Sequence, residues 1–312
     1  MSRYSIVIED LTVEFKTREG IVKAVDKVNL NVREGEVLGV LGESGSGKSV
    51  LGQTILSLLP DNALVKGRVL VYGVDVLRAG KNDLRRLRGR VVAWVPQNTG
   101  LALNPMLRIG VQLVESPVEH GIPEDEAWGF IKNVLSRLGL SNEVSRRYQH
   151  QLSGGMKQRV LFTIGLSCKP RVIVIDEPTK GLDKPKRRMV TQLIKRIREV
   201  NPQATMIVIS HDIEFIRSVT DRVAVMYCGW VIEVSSSSAF FEKPLHPYSR
   251  MLLETIPSRK FKPIPGDPPS MIKPPPGCRF HPRCPLAMDV CRVKEPPEVE
   301  VDGGVVKCWL YE

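Results

Sequence analysis

The run Gly42-Glu43-Ser44-Gly45-Ser46-Gly47-Lys48-Ser49 combines the residue types that bind a polyphosphate. Gly42, Gly45 and Gly47 let the backbone turn tightly, so that successive N–H groups, Ser44 included, wrap an anion at a helix N-terminus. Lys48 is placed to reach the β and γ phosphates, and the Ser49 hydroxyl to serve Mg²⁺. A second run, Arg171-Val172-Ile173-Val174-Ile175-Asp176-Glu177-Pro178, reads as an apolar strand ending in two carboxylates. A metal-bound phosphate site needs acids at such a strand end. Asp176 is expected to hold Mg²⁺ through water, and Glu177, one residue further on, to polarise the attacking water.

Between these runs lies Leu152-Ser153-Gly154-Gly155-Met156, followed by Lys157-Gln158-Arg159. Ser-Gly-Gly caps a helix and again offers N–H donors to phosphate, so the chain carries two phosphate-binding loops. With these residues the sequence resembles the ABC ATPase family, methionine replacing the usual glutamine of its LSGGQ motif. The resemblance spans roughly Tyr4 to Val234. It implies that Gln97 is the Q-loop glutamine and a further Mg²⁺ contact, that Gly181-Leu182-Asp183 is the D-loop, and that His211 of Ser210-His211-Asp212 contacts the γ-phosphate. It also implies that two cassettes meet head to tail, so that Ser153 and Gly155 of one act on the ATP held by Lys48 of the other. Phe15 is placed either to stack on adenine or to pack in the core of its strand.

His246-Pro247-Tyr248, Leu252, Leu253 and the Ile256-Pro257-Ser258 turn, with Leu103-Asn104-Pro105 after Gln97, resemble the oligopeptide/dipeptide (Opp/Dpp) branch of that family. Cys278, Cys284, Cys291 and Cys308 extend the likeness almost to the last residue, and by resemblance they bind a [4Fe–4S] cluster. Chemistry alone leaves tetrahedral zinc, or plain or disulfide-paired thiols, open, although gaps of five, six and sixteen residues lack the tight pairs zinc prefers. The branch implies a second ATPase subunit (the same chain or a different one), two transmembrane permease subunits and an extracytoplasmic solute-binding protein. It implies import of peptides, with nickel, glutathione or oligosaccharides as other cargoes of such relatives.

The elements that must position these residues follow from the hydrophobic pattern. Ile6, Ile8, Leu11, Val13 and Phe15, then Val28, Leu30 and Val32, alternate with polar residues as in a small antiparallel sheet. Val37 to Leu41 is a short buried strand feeding the glycine loop and a helix from Lys48 to about Leu58. From about Gln97 to Ser167 the spacing is helical, with Ala127, Phe130, Ile131, Val134, Leu135 and Leu138 on one stripe and Pro123 at its first turn. Val172 to Ile175 and Met206 to Ile209 read as buried parallel strands, separated by a helix with Val190, Leu193, Ile194 and Ile197 on one face. The pattern is therefore α/β, with a small antiparallel sheet and a helical insert, and the resemblance implies a P-loop NTPase ABC cassette with a RecA-like core. The expected domains are a cassette over 1–235 (core 1–96 and 168–235, helical subdomain 97–167) and a Pro/Cys-rich extension over 236–312. That extension opens with a turn-like linker at Ser235 to Ser238, and 14 of the 23 prolines follow Lys243.

Forty-two per cent of the 312 residues are hydrophobic, enough for a good-sized α/β domain and something smaller. No run of about 18 apolar residues occurs, and MSRYSIVIED lacks the apolar block of a signal peptide. The expected place is peripheral, on the cytoplasmic face of the membrane, with the six cysteines mostly reduced and Cys168 and Cys228 in the core. A formal charge of +11 suits nucleic acid, an anionic leaflet or solubility alike. Its densest runs, Arg85 to Arg90 and Lys184 to Arg188, read as solvated helix faces. A nucleic-acid role is set aside, because only 102 residues separate Ser49 from Leu152 and a single cassette is present.

Overall fold

The apolar alternation of the first thirty residues changes phase between Ile8 and Leu11, which an unbroken strand does not allow. The computed structural model, which describes residues 4–97, 99–256 and 262–312, shows how the chain absorbs this. Tyr4–Thr17 pairs antiparallel with Gly20–Arg33, and the register shifts between Ile8 and Leu11, where Asp10 takes φ 47°. The bulge returns Leu11 and Val13 to the face of Ile6 and Ile8, and all four are buried. Ala63–Val71 pairs on the other side and meets the bulge with Gly67, where a Cβ would lie 2.6 Å or less from the Glu9 and Asp10 carbonyl oxygens. Only glycine fits there. Val74–Asp75 completes this four-stranded sheet.

The chain divides into two compact units, residues 1–77 with 208–312, and residues 78–207. The first contains the antiparallel sheet and a second, mixed one. In the mixed sheet the fully buried Val37–Leu41 runs parallel to Arg222–Tyr227, which pairs antiparallel with Trp230–Ser236. The sequence-based linker at Ser235 to Ser238 is corrected: Ser235 and Ser236 end that strand, and the Ser236 hydroxyl caps a helix, Ser237–Glu242, at Ala239 N–H. Serine runs suit a helix N-cap as well as a loop.

The C-terminal segment is part of this unit's core. Gly304–Lys307 adds to Trp230–Ser236, Glu298–Val301 pairs outside it, and Phe240, Tyr248, Leu253 and Phe280 are buried. Aromatic side chains and two added strands supply apolar area that the proline count hides.

The second unit holds the helical insert. Val92–Val95 and Val172–Asp176 run parallel, and Ile109–Glu119, Glu124–Arg137 and Gly154–Leu166 share a core that includes Leu113, Ile131, Leu135 and Leu161. Lys184–Val200 buries Val190, Leu193, Ile194 and Ile197 and leaves Lys184 to Met189 in solvent. Thr205–Ser210 is buried throughout, beginning in this unit and ending in the other. Among the described residues no helix is long and apolar enough to cross a membrane.

Candidate functional site

Val37–Leu41 delivers the chain into the glycine loop, and the helix Lys48–Ile55 starts at its end. Gly47 sits at φ 103° as the residue before that helix, and a Cβ there would lie 2.1 Å from the Ala24 carbonyl oxygen. At Gly42 a Cβ would come within 2.3 Å of the Met226 carbonyl oxygen. The glycines are therefore required by contact as well as by backbone angle. Ser44 and Gly45 face solvent at the crest, with Gly45 at φ 78°. Lys48 is buried, and its ammonium donates to the Gly42 and Glu43 carbonyls at 2.8 Å each. Among the described residues the buried Ser46 hydroxyl has no hydrogen-bond partner, an orphan donor inside a loop built to meet oxygen acceptors. Ser49 is the second residue of that helix and is half-buried.

His211 follows Thr205–Ser210 directly and is exposed, in the same unit as the glycine loop. Its neighbour Asp212 caps the next helix, Ile213–Val219, by accepting from Phe215 N–H at 3.1 Å. Phe15 lies half-buried on Tyr4–Thr17, opposite Val22 and Ala63.

In the second unit Asp176 closes Val172–Asp176, and both it and Glu177 are buried. Glu177 takes φ 45°, a left-handed conformation that a non-glycine residue adopts at a cost of order 1–3 kcal/mol and that recurs at functional sites. Gln97 is exposed two residues after Val92–Val95, and Asn98 beyond it lies outside the described residues. Ser153 caps Gly154–Leu166, accepting from Met156 N–H at 3.3 Å, and Ser153 and Gly154 face solvent. Gln158, one turn along this helix, donates to the Pro178 carbonyl at 2.7 Å. The signature helix is thereby tied to the chain just past Glu177, a link sequence reasoning missed. The D-loop Asp183 caps Lys184–Val200 at Lys186 N–H, a hydrogen bond that lowers its carboxyl pKa.

The C-terminal motif is built on Glu233, whose buried carboxylate accepts from the Leu245 and His246 N–H groups at 2.9 and 2.8 Å. His246 then caps Pro247–Glu254 through Nδ1, and burial, with Arg250 nearby, pushes its pKa down to about 3. Pro257 and Ser258 lie outside the described residues.

All four C-terminal cysteines are free thiols, and Cys278 N–H donates to the Cys291 carbonyl at 2.8 Å. Burial pushes the Cys278 thiol up to about 12 and raises Cys284 and Cys308 as well, with the thiols reinforcing one another across all six pairings. Backbone N–H groups of Phe280, Leu286 and Leu310, each two residues on, bond to three of the sulfurs. The expected metal centre is not seen as a ligand set: among the described residues no group of three or more His, Cys, Asp or Glu side chains is placed to hold a metal ion. The thiolate is the metal-binding form, and burial disfavours it at Cys278, Cys284 and Cys308.

A glycine loop before a helix, a strand ending in buried carboxylates and a serine-capped signature helix define a P-loop ATPase of the cassette kind. Residues 25–180 match the family model described as ABC transporter, and residues 232–291 match oligopeptide/dipeptide transporter, C-terminal region. The chain is 39% identical to the dipeptide transport ATP-binding protein DppD of Caldanaerobacter subterraneus subsp. tengcongensis, over 98% of this chain and 97% of the relative. It is 35% identical to the oligopeptide transport ATP-binding protein OppD of Salmonella typhimurium, over 97% and 92%. Among solved structures it resembles the dimeric structure of MJ0796, a bacterial ABC transporter cassette, at 27% identity and TM-score 0.66, covering 74% of this chain and 98% of that one. The chain belongs to the ATP-binding family of ABC transporters.

Proposed function

We propose that this chain is one of two ATPase motors of an importer for dipeptides or oligopeptides, peripheral on the cytoplasmic face of the membrane. The observation that carries this is the joining, in one chain, of both phosphate-binding loops to the His246-Pro247-Tyr248 segment. Relatives named for dipeptide and oligopeptide transport share that whole length. A cassette over 1–235 and an extension over 236–312 are the parts of this reading.

The loop from Gly42 to Ser49 binds the phosphates of ATP, with Lys48 as its cation. Ser49, Asp176 and Gln97 supply oxygen donors for Mg²⁺, which suits a hard cation; when bound, Mg²⁺ neutralises phosphate charge. Glu177 orients water and accepts its proton as the water oxygen bonds to the γ-phosphorus and the bond to the ADP oxygen breaks. His211 fixes the γ-phosphate, and Ser153 and Gly155 meet the nucleotide of a second cassette. That exposed signature loop supports the dimeric reading, as do the dimeric MJ0796 structures. Two permease subunits then receive the motion, and a solute-binding protein delivers the cargo. The chain itself needs no contact with the peptide.

Purification of a tagged chain from detergent-extracted membranes tests this. Two multi-span proteins and a second cassette should accompany it, and its deletion should abolish uptake of labelled peptide. Recovery with nucleic acid in place of membrane proteins would refute the transport role.

We further propose a structural metal centre on Cys278, Cys284, Cys291 and Cys308, as a [4Fe–4S] cluster, with zinc as the other candidate. The donor set suits either in kind, and mutual proximity with N–H groups directed at three sulfurs supports it. Protein prepared anaerobically should contain about four irons per chain and absorb near roughly 400 nm. Stoichiometric zinc would replace the cluster, and absence of both metals would end the reading.

A further inference from the structure

Glu43 is the second residue of the glycine loop, at a position where the motif allows any side chain. Here it is held from outside the loop. Its carboxylate receives both ends of the Arg283 guanidinium, at 2.8 Å to Oε2 and 3.1 Å to Oε1. Its backbone N–H donates to the Tyr248 hydroxyl at 3.1 Å. Its carbonyl accepts from Lys48 at 2.8 Å. One residue thus joins the cation that meets the phosphates to two side chains of the C-terminal segment, some two hundred positions away.

The outer ends of these contacts are fixed in turn. Arg283 is 4% exposed at its side chain, donates through Nε to the Pro265 carbonyl at 2.9 Å, and reaches the Tyr227 hydroxyl at 3.3 Å. Tyr227, Tyr248 and Phe280 pack as three rings with centroids 4.7 to 5.4 Å apart. Tyr227 ends the strand that lies parallel to Val37–Leu41, so the triad spans sheet and extension. A partly buried, forked ion pair adds little net stability, but it fixes direction closely. What Arg283 fixes is the peptide that carries the Lys48 contact.

We propose that Arg283 and Tyr248 are positioning residues of the ATP site, acting through Glu43 to set the glycine loop and Lys48 for phosphate binding. The C-terminal segment is then a working part of nucleotide binding in this chain. Neither residue touches nucleotide in this scheme. Arg283 is adjacent to Cys284, so order around the cysteines passes to the loop by one peptide.

The inference rests on Gly42–Ser49 as the ATP loop, an assignment that Lys48→Ala tests on its own through loss of ATP binding. The decisive experiment titrates the full-length chain with a fluorescent ATP analogue and measures ATPase kcat and KM. The variants are Arg283→Ala, Arg283→Lys, Tyr248→Phe, Glu43→Gln and the Glu43→Gln/Arg283→Ala double, with thermal melting run alongside. Arg283→Ala should weaken ATP affinity roughly 10- to 100-fold, the scale of misplacing a binding group by about an ångström. Arg283→Lys keeps the charge and loses the fork, so it should fall between. The double variant should be no weaker than the worse single one, since both cut the same link. Arg283→Ala affinity within twofold of the parent, or additive losses in the double variant, would overturn the proposal. If Arg283→Ala does not fold, Tyr248→Phe and Glu43→Gln decide: each removes one hydroxyl or one charge, and unchanged affinity and KM in both would overturn it equally.

Discussion

Glu177 follows the strand Val172–Asp176 with φ 45°, so the backbone turns left-handed between one acid and the next. In the proposed mechanism the two adjacent acids take different roles, Asp176 serving the metal and Glu177 the attacking water. Glu177→Gln keeps the shape and removes the base. ATP binding should persist while turnover falls by at least roughly 10²-fold, measured as phosphate release at saturating ATP; an unchanged rate would reassign the base. Lys48, Ser49, Asp176 and Ser153 are candidates that sequence can supply, because phosphate chemistry demands particular residue types at fixed spacing. Glu43 and Arg283 are not, because they lie 240 positions apart and no local spacing relates an acid in a loop to an arginine beside a cysteine. The four cysteines are the reverse case: their spacing is readable in sequence, and in the structure they are neighbouring free thiols.

At the scale of elements, the segment after Gln97 separates two residues that sequence treats alike. Leu103 and Met106 are both apolar and lie three positions apart in that segment. Leu103 is 1% exposed and belongs to the helical core, whereas Met106 is 81% exposed and Leu101 85%. Leu103→Ala should therefore cost about 2–5 kcal/mol of stability by leaving a cavity, read as an earlier urea midpoint. Met106→Asp with Leu101→Asp should leave basal ATPase largely intact and uncouple it from transport in vesicles. A second element-scale effect belongs to the His246 turn. Its imidazole has a folded pKa near 3, below the ordinary 6.5, because burial excludes the charged form. The unfolded chain binds the proton first, so stability present above about pH 6.5 drains as pH falls, at up to about 1.4 kcal/mol per pH unit. His246→Asn keeps an acceptor for Tyr248 N–H, and its urea midpoint should lack that slope between pH 6.5 and 5. Periodicity made the strands and helices legible here, but a buried histidine and a serine run that begins a helix are decided by packing that no local pattern states.

At the scale of the whole molecule, one chain offers a phosphate loop and an exposed, serine-capped signature helix, and the family likeness places both on a shared nucleotide only between two cassettes. Ser153 and Gly154 have no covering partner among the described contacts, and leaving N–H donors in solvent costs nothing until a phosphate arrives to use them. On the proposed reading ATP is the bridging ligand, and hydrolysis removes the bridge. The prediction follows from that order of events. A Glu177→Gln chain with ATP, Mg²⁺ and its second cassette should run by light scattering at twice the cassette mass, and at the single mass with ADP. Ser153→Arg, which crowds the signature loop without touching the chain's own glycine loop, should abolish the dimer while ATP still binds each chain. Its mass distribution separates the two ways the dimer can be lost: a nucleotide-dependent monomer with ATP bound means the interface failed, and a monomer without bound ATP means the glycine loop failed. Should the Glu177→Gln chain stay monomeric with ATP and its genuine partner both present, the signature loop does not act on a neighbour's nucleotide.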